Sequence, residues 1–180
     1  QTALQVRLQT YTSRASGSGP ARPERQVLNL KKTSSESRLV ISEVMMPHQA
    51  NVAGNIHGGE IIKLMDSTAY ATARRYARSN VVTARVDEVE FHLPIFIGDL
   101  VICTAQVVYV GHSSMEIVVV VEVEDLETEG KKRALSAFFT MIALDKKGRP
   151  TKVPELILET EEEKRAFEEG RLRYERHKKK

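Results

Sequence analysis

Residues 47–78, PHQANVAGNIHGGEIIKLMDSTAYATARRYAR, decide the fold. The first thirteen, Pro47 to Gly59, hold three glycines, two asparagines and a proline, which is loop composition. The next nineteen, Glu60 to Arg78, contain neither Pro nor Gly. Their apolar residues Ile61, Ile62, Leu64, Met65, Ala69, Ala73, Tyr76 and Ala77 recur at steps of three and four, which predicts a helix. Tyr70 and Ala71 widen the stripe until most of the circumference is apolar. Such a helix is expected to be wrapped by other structure. Arg74, Arg75 and Arg78 sit where cations favour a helix C-terminus.

Outward from that helix the chain reads as strand. Val81–Phe91, Leu100–Val110, Met115–Val123 and Leu135–Leu144 are rich in β-branched residues, and a shorter strand near Arg38–Glu43 precedes the loop. Short turns join the last three strands, which favours an antiparallel meander. The expected class is α+β: one buried helix against one antiparallel sheet.

The ends differ from this body. Residues 1–35 carry six basic groups and one acid, and Thr10 to Pro23 is rich in Ser, Gly, Pro and Arg. That stretch is too poor in apolar residues to offset the entropy of ordering, so 1–35 is expected to be a flexible basic arm. It reads as a tail, a transit-like segment or a remnant of expression. Residues 36–158 are expected to form the folded domain. Residues 159–180 are expected to form a surface helix, with a capping-box spacing at Thr160 and Glu163, and a basic tail. Gly170 weakens the middle of that helix.

Composition narrows the function. The chain has 180 residues and a formal net charge of +3, and the body by itself is acidic. Most of the basic excess lies in the arm, which argues against a nucleic-acid-binding face on the body. One cysteine, Cys103, excludes an intrachain disulfide or a Cys-based zinc cage, and the five histidines show no metal-ligand spacing. No apolar run is long enough for a membrane-spanning helix. There is no glycine-rich phosphate loop, no GxGxxG, no HExxH and no GxSxG, so a serine-esterase elbow is absent.

Asp66 is the residue most in need of explanation. A carboxylate on an apolar helix is costly unless it is paired or used, and the readings stand side by side: catalysis, or a salt bridge to Lys63 or simple exposure. At the helix start, Gly58 and Gly59 would let a substrate carbonyl approach unpaired N–H groups; a tight loop would need glycine equally. His57 beside them, and Asn51 and Asn55 in the loop, read as structural or as participants. Arg85 and Asp87 share a strand face and would pair with neighbours. Ser113 and Ser114 look like ordinary hairpin-end residues.

Taken together, ANVAGNIHGGEIIKLMDSTAYATARR at 50–75, VVTARVDEVEFHLPIFIGDLV at 81–101, GHSSMEIVVVVEVE at 111–124, ALSAFFTMIAL at 134–144 and VPELILETEEEKRAFEEGRLRYE at 153–175 resemble the hotdog-fold acyl-CoA thioesterases. More narrowly, they resemble the cytosolic (brain-type) acyl-CoA hydrolases and their single-domain bacterial relatives. The resemblance spans roughly residues 38–178. It implies a long central helix wrapped by a five-stranded antiparallel sheet, plus a C-terminal helix. It implies hydrolysis of fatty acyl-CoA to free acid and coenzyme A, with no cofactor and no metal. Asn51 and Asp66 match the catalytic positions, which in tandem relatives come from different domains. His57, Gly58 and Gly59 would form the oxyanion side, and Asp66 would act as general base or as nucleophile. Arg85, Val86, Asp87, Ser114, Met115, Glu116 and Arg173 match the coenzyme A contacts, with Arg171 or Arg176 as substitutes for Arg173. A homodimer at least, and a homohexamer built as a trimer of dimers, are implied. So is a cytoplasmic location, or an organelle matrix if residues 1–30 are a transit segment. The alternatives are an acyl-CoA-binding or dehydratase-like hotdog protein, and a nucleic-acid-binding or scaffold protein that uses the arm.

Overall fold

The protein is described from a computed structural model that covers residues 31–127 and 130–178. Residues 1–30 of the expected arm lie outside the described residues. Its last five do not behave as an arm. Lys31–Thr33 forms strand β1, and Ser34–Ser37 forms a single turn, α1, closed by a Thr33/Glu36 capping box. Ser34 and Ser37 are buried: the Ser34 hydroxyl donates to Val107 O at 2.7 Å, and Ser37 Oγ accepts from Val107 N–H at 2.9 Å. These bonds place the folded boundary near 31 rather than 36. A serine-rich stretch that lacks apolar residues gives no periodic signal of such docking.

The remaining elements are β2 (Leu39–Val44), a 3-10 turn (Pro47–Gln49), α2 (Gly58–Ala77), β3 (Asn80–Phe91), β4 (Leu100–Val110), β5 (Ser114–Glu124), β6 (Lys131–Leu144), β7 (Glu155–Ile157) and α3 (Glu161–Lys178). Five strands form one antiparallel sheet in the order β2-β4-β5-β6-β3, and β1 pairs in parallel with β7 beside it. The expected meander is β4-β5-β6. The expected strands and both long helices are present, with ends shifted by up to four residues.

The sheet has two occupied faces. On one, α2 buries Ile61, Met65, Ala69, Ala73 and Tyr76 against Val101, Cys103, Ala105 and Val107 of β4, Met115, Ile117, Val119 and Val121 of β5, and Phe139, Met141 and Ala143 of β6. The alanines of the helix let its axis come close to the sheet, and each large side chain fully buried there contributes about 1.5–3 kcal/mol. On the other face α3 covers Tyr109, whose ring lies 5.0 Å from Phe167 and 5.7 Å from Tyr174. This is the helix-and-sheet arrangement the resemblance implies.

Two β-bulges assign side chains to these faces. One falls between Val107 and Tyr109 and the other between Thr83 and Arg85. An extra residue in a strand reverses the side-chain alternation beyond it. Val107 therefore lies in the α2-side core while Tyr109 packs under α3, and Thr83 faces α2 while Arg85 and Asp87 face the α3 side.

Candidate active site

The α2 side holds a carboxylate, Asp66, with one hydrogen-bond partner among the described residues. Thr83 Oγ1 donates to Asp66 Oδ1 at 2.7 Å. Lys63, which one reading of Asp66 made its salt-bridge partner, instead approaches Glu60 at 3.9 Å. Asp66 is half-buried and so remains reachable. Because the threonine holds one carboxylate oxygen, the other is free to accept a proton. Thr83 was missed in the sequence because a threonine in a strand looks like ordinary β-propensity.

The loop before α2 is braced from within. Asn51 Oδ1 accepts the N–H groups of Ala53 at 2.9 Å and Asn55 at 3.3 Å, and Asn51 N–H donates to Asn55 O at 2.7 Å. Asn51 is thus a loop cap, and only its amide NH₂ is left to face a ligand. His57 is the N-cap of α2: its Nδ1 accepts the Gly59 N–H at 2.9 Å. That bond occupies one of the two N–H groups expected on the oxyanion side. The Gly58 N–H, at the first helical position, has no intrahelical acceptor. Gly58 also has a packing reason, since a Cβ there would lie 3.1 Å from Phe91 Cε1.

The residues expected to contact coenzyme A divide. Arg85, Asp87, Glu116 and Arg173 converge beneath α3. Arg85 Nε lies 2.5 Å from Asp87 Oδ2, and its Nη2 donates to Thr140 Oγ1 at 3.2 Å. Arg173 donates from Nε and Nη2 to a single oxygen of Glu116, at 2.8 and 2.6 Å, with its guanidinium 3.7 Å from the centre of the Phe138 ring. Arg173 and Glu116 are 8% and 4% exposed, so this arginine is tied up inside the chain. Burial pushes the Glu116 carboxyl above its usual range, and the Arg173 guanidinium opposes that push. His177, near the end of α3, sits 3.5 Å from Asp87 Oδ1. Arg171 pairs with Glu168 and Glu175 at the surface, and Arg176 is exposed. Val86 is on the edge strand, partly exposed. Ser114 is buried behind Gly111, and the Met115 side chain is in the core, so Met115 can meet a ligand only through its main chain.

Met65 and Ala69 have no exposed surface, so no apolar channel opens beside them in a single chain. Among the described residues no three His, Cys, Asp or Glu side chains converge as a metal site, and no helix is long and apolar enough to cross a membrane.

Three comparisons bear on this geometry. The family model of the thioesterase superfamily matches residues 53–129. The cytosolic acyl coenzyme A thioester hydrolase of Rattus norvegicus is 39% identical over 144 residues, which are 79% of this chain; the chain spans 38% of that relative's length. An acyl-CoA hydrolase from Staphylococcus aureus, solved with butyryl coenzyme A, coenzyme A and coenzyme A disulfide, superposes with a TM-score of 0.76 at 34% identity, covering 82% of this chain and 90% of that one. An apo-hexameric acyl-CoA thioesterase superposes with a TM-score of 0.79 at 35% identity, covering 83% and 96%. The S. aureus enzyme has also been solved with an Asn, an Asp and a Thr each replaced by Ala. Those residues are separated by 15 and then 17 positions, the spacings of Asn51, Asp66 and Thr83 here.

Proposed function

The chain belongs to the acyl-CoA thioester hydrolases of the thioesterase superfamily, and from that membership we propose that it hydrolyses fatty acyl-CoA to the free acid and coenzyme A. The observation that carries the reading is the Thr83 hydrogen bond to Asp66 at 2.7 Å, which holds one oxygen of a carboxylate and leaves the other free. Asp66 is the general base. It takes a proton from water while the water oxygen attacks the thioester carbon; the C–S bond then breaks, and the proton passes to the departing thiolate. The negative charge that develops on the thioester oxygen is met by the Gly58 N–H and the positive end of α2. The Asn51 amide NH₂ orients the water or the carbonyl. Arg85 and a surface arginine of α3, Arg171 or Arg176, meet the phosphates of coenzyme A, with Asp87 holding Arg85 and the Arg173–Glu116 pair holding α3 on the sheet.

Sharing of the site between subunits is part of the proposal. Asp66 lies about 12 Å along α2 from Gly58, taking about 1.5 Å per residue, and the Asn51 side chain is tied into a loop still farther back. A partner subunit therefore supplies the asparagine. Strand β3 supports such pairing: it is an edge strand, with Val82 and Val86 of one stretch and Phe91 at its end 38–57% exposed. Three such dimers make a hexamer, which the hexameric structural relative supports. A cytoplasmic location rests on the cytosolic relatives.

The test is acyl-CoA hydrolysis by Asp66→Asn. Loss of a general base lowers kcat by about 10²–10⁴ with the fold retained. A wild-type rate in this variant removes Asp66 from the mechanism. Single-turnover hydrolysis in ¹⁸O-water separates the base from a nucleophile, since only a nucleophile leaves label in the Asp66 carboxyl.

A further inference from the structure

At the far end of α2 from the loop, a cavity of about 430 Å³ is lined by Lys32, Glu36, Ser37, Arg75, Tyr76 and Arg78. That volume falls within the range of about 300–1,000 Å³ common for small-molecule sites. It lies 12 residues beyond Asp66, about 18 Å along the helix.

The charge around this cavity is unbalanced. Among the described residues none of the three cations has a carboxylate oxygen within 4.0 Å. Lys32 Nζ donates to Tyr76 O at 2.6 Å and stands 5.5 Å from the centre of its ring. Arg75 turns Nη2 onto the carbonyls of Glu36, Ser37 and Arg38. Both cations are therefore held in place by main-chain oxygens and are not neutralised. Arg78, in the left-handed conformation with φ 56°, has its side chain exposed. The one acid, Glu36, accepts the Thr33 N–H in the α1 cap at 3.0 Å. The helix C-terminus adds about half a negative charge. Three positive charges against roughly one and a half negative leave the cavity cationic. Burial, and next to it the charge of Arg78, hold the Lys32 ammonium below its usual range, and Glu36 only partly offsets them.

We propose that this cavity is a second ligand site, distinct from the thioester site, that binds a phosphate-bearing anion between Lys32 and Arg78 with the fixed Arg75 guanidinium as its floor. Lys32 and Arg78 supply charge-assisted hydrogen bonds, and Arg75 supplies charge and a planar surface. The proposal does not depend on the hydrolase reading, because none of its residues takes part in that chemistry.

The probe is inorganic pyrophosphate, titrated calorimetrically into the full chain in about 0.1 M salt, where exposed charges are screened beyond about 10 Å. Arg78→Asn removes the charge with a residue that tolerates the left-handed backbone; Lys32→Met removes the lysine charge. Arg85→Gln is the control for pyrophosphate held at the thioester side. The expected result is one pyrophosphate per chain, weakened at least about tenfold in Arg78→Asn and in Lys32→Met, which corresponds to about 1.4 kcal/mol, and unchanged in Arg85→Gln. Unchanged binding in the first two variants, loss in Arg85→Gln alone, or no saturable binding to the wild-type chain each overturns the proposal. Asp66→Asn binds pyrophosphate like the wild type whatever its activity, so failure here and failure of the hydrolase reading are read separately.

Discussion

At the scale of single residues, the contact between Thr83 and Asp66 separates positioning from catalysis. The hydroxyl touches the carboxylate that acts in the proposed reaction, and the reacting atoms lie beyond it. Thr83→Val keeps the shape of the side chain and deletes the donor. Its expected effect is a fall in kcat of about tenfold, corresponding to the loss of one hydrogen bond to a charged group, with KM little altered and the melting temperature retained. Thr83→Ser restores most of the rate, because it restores the hydroxyl. A Val variant with normal kcat would reduce the contact to packing. His57 shows the opposite outcome for a residue next to a site: its ring nitrogen caps α2, so His57→Ala acts through the helix terminus and costs about 0.5–2 kcal/mol of stability.

At the scale of elements, α3 and the sheet explain a glycine that local propensity cannot. In a helix interior Ala is better than Gly by about 1 kcal/mol, so Gly170 is unfavourable in isolation. In the folded chain a Cβ at 170 would lie 2.6 Å from Tyr109 Cβ and 3.3 Å from Glu116 Oε1. Gly170 is therefore the point at which α3 can approach β4 and β5 closely enough for Arg173 to reach Glu116. The close approach outweighs propensity: Gly170→Ala is expected to destabilise by about 1–3 kcal/mol, as overpacking does, and not to stabilise. Urea unfolding gives the sign directly, and a more stable variant would mean that α3 shifts at no cost. Tyr109 reaches α3 only because of the bulge after Val107, so one inserted residue in β4 and one missing side chain in α3 are parts of a single contact.

At the scale of the whole molecule, the proposed site needs two copies. Asn51→Ala and Asp66→Asn each remove one half of every site. When the two variants are mixed and subunits exchange, about half the dimers are mixed by simple counting on a two-fold dimer, and each has one site with both residues intact. About a quarter of all sites then recover. If exchange is demonstrated and activity stays at the level of the parents, both residues act within one chain. A lysine at Val86 on the exposed β3 edge is expected to weaken the same pairing, seen as a smaller species in sedimentation, because a buried unpaired charge opposes association.

Periodicity and composition by themselves determined the order of elements: a glycine-rich loop, an apolar helix at 3.6-residue spacing, and strands of β-branched residues joined by short turns. These signals are local, and the meander and the wrapped helix follow from them. The odd carboxylate Asp66 was visible for the same reason, as a charged group out of keeping with its surroundings, whereas Asn51, an ordinary residue in a loop, stood out only through the family resemblance. The partner of Asp66 was not visible. Thr83 lies 17 residues downstream on the α2 face of β3, and the bulge after it turns Arg85 and Asp87 to the α3 side; a bulge leaves no mark on alternation in a strand with exposed residues on both sides. Nor did the serines at 34 and 37 announce that they are buried, since their order comes from two hydrogen bonds to a single residue of β4 some 70 positions away. The tertiary structure alone decided which hydrogen-bonding groups meet, because that depends on register and close approach between elements distant in the chain.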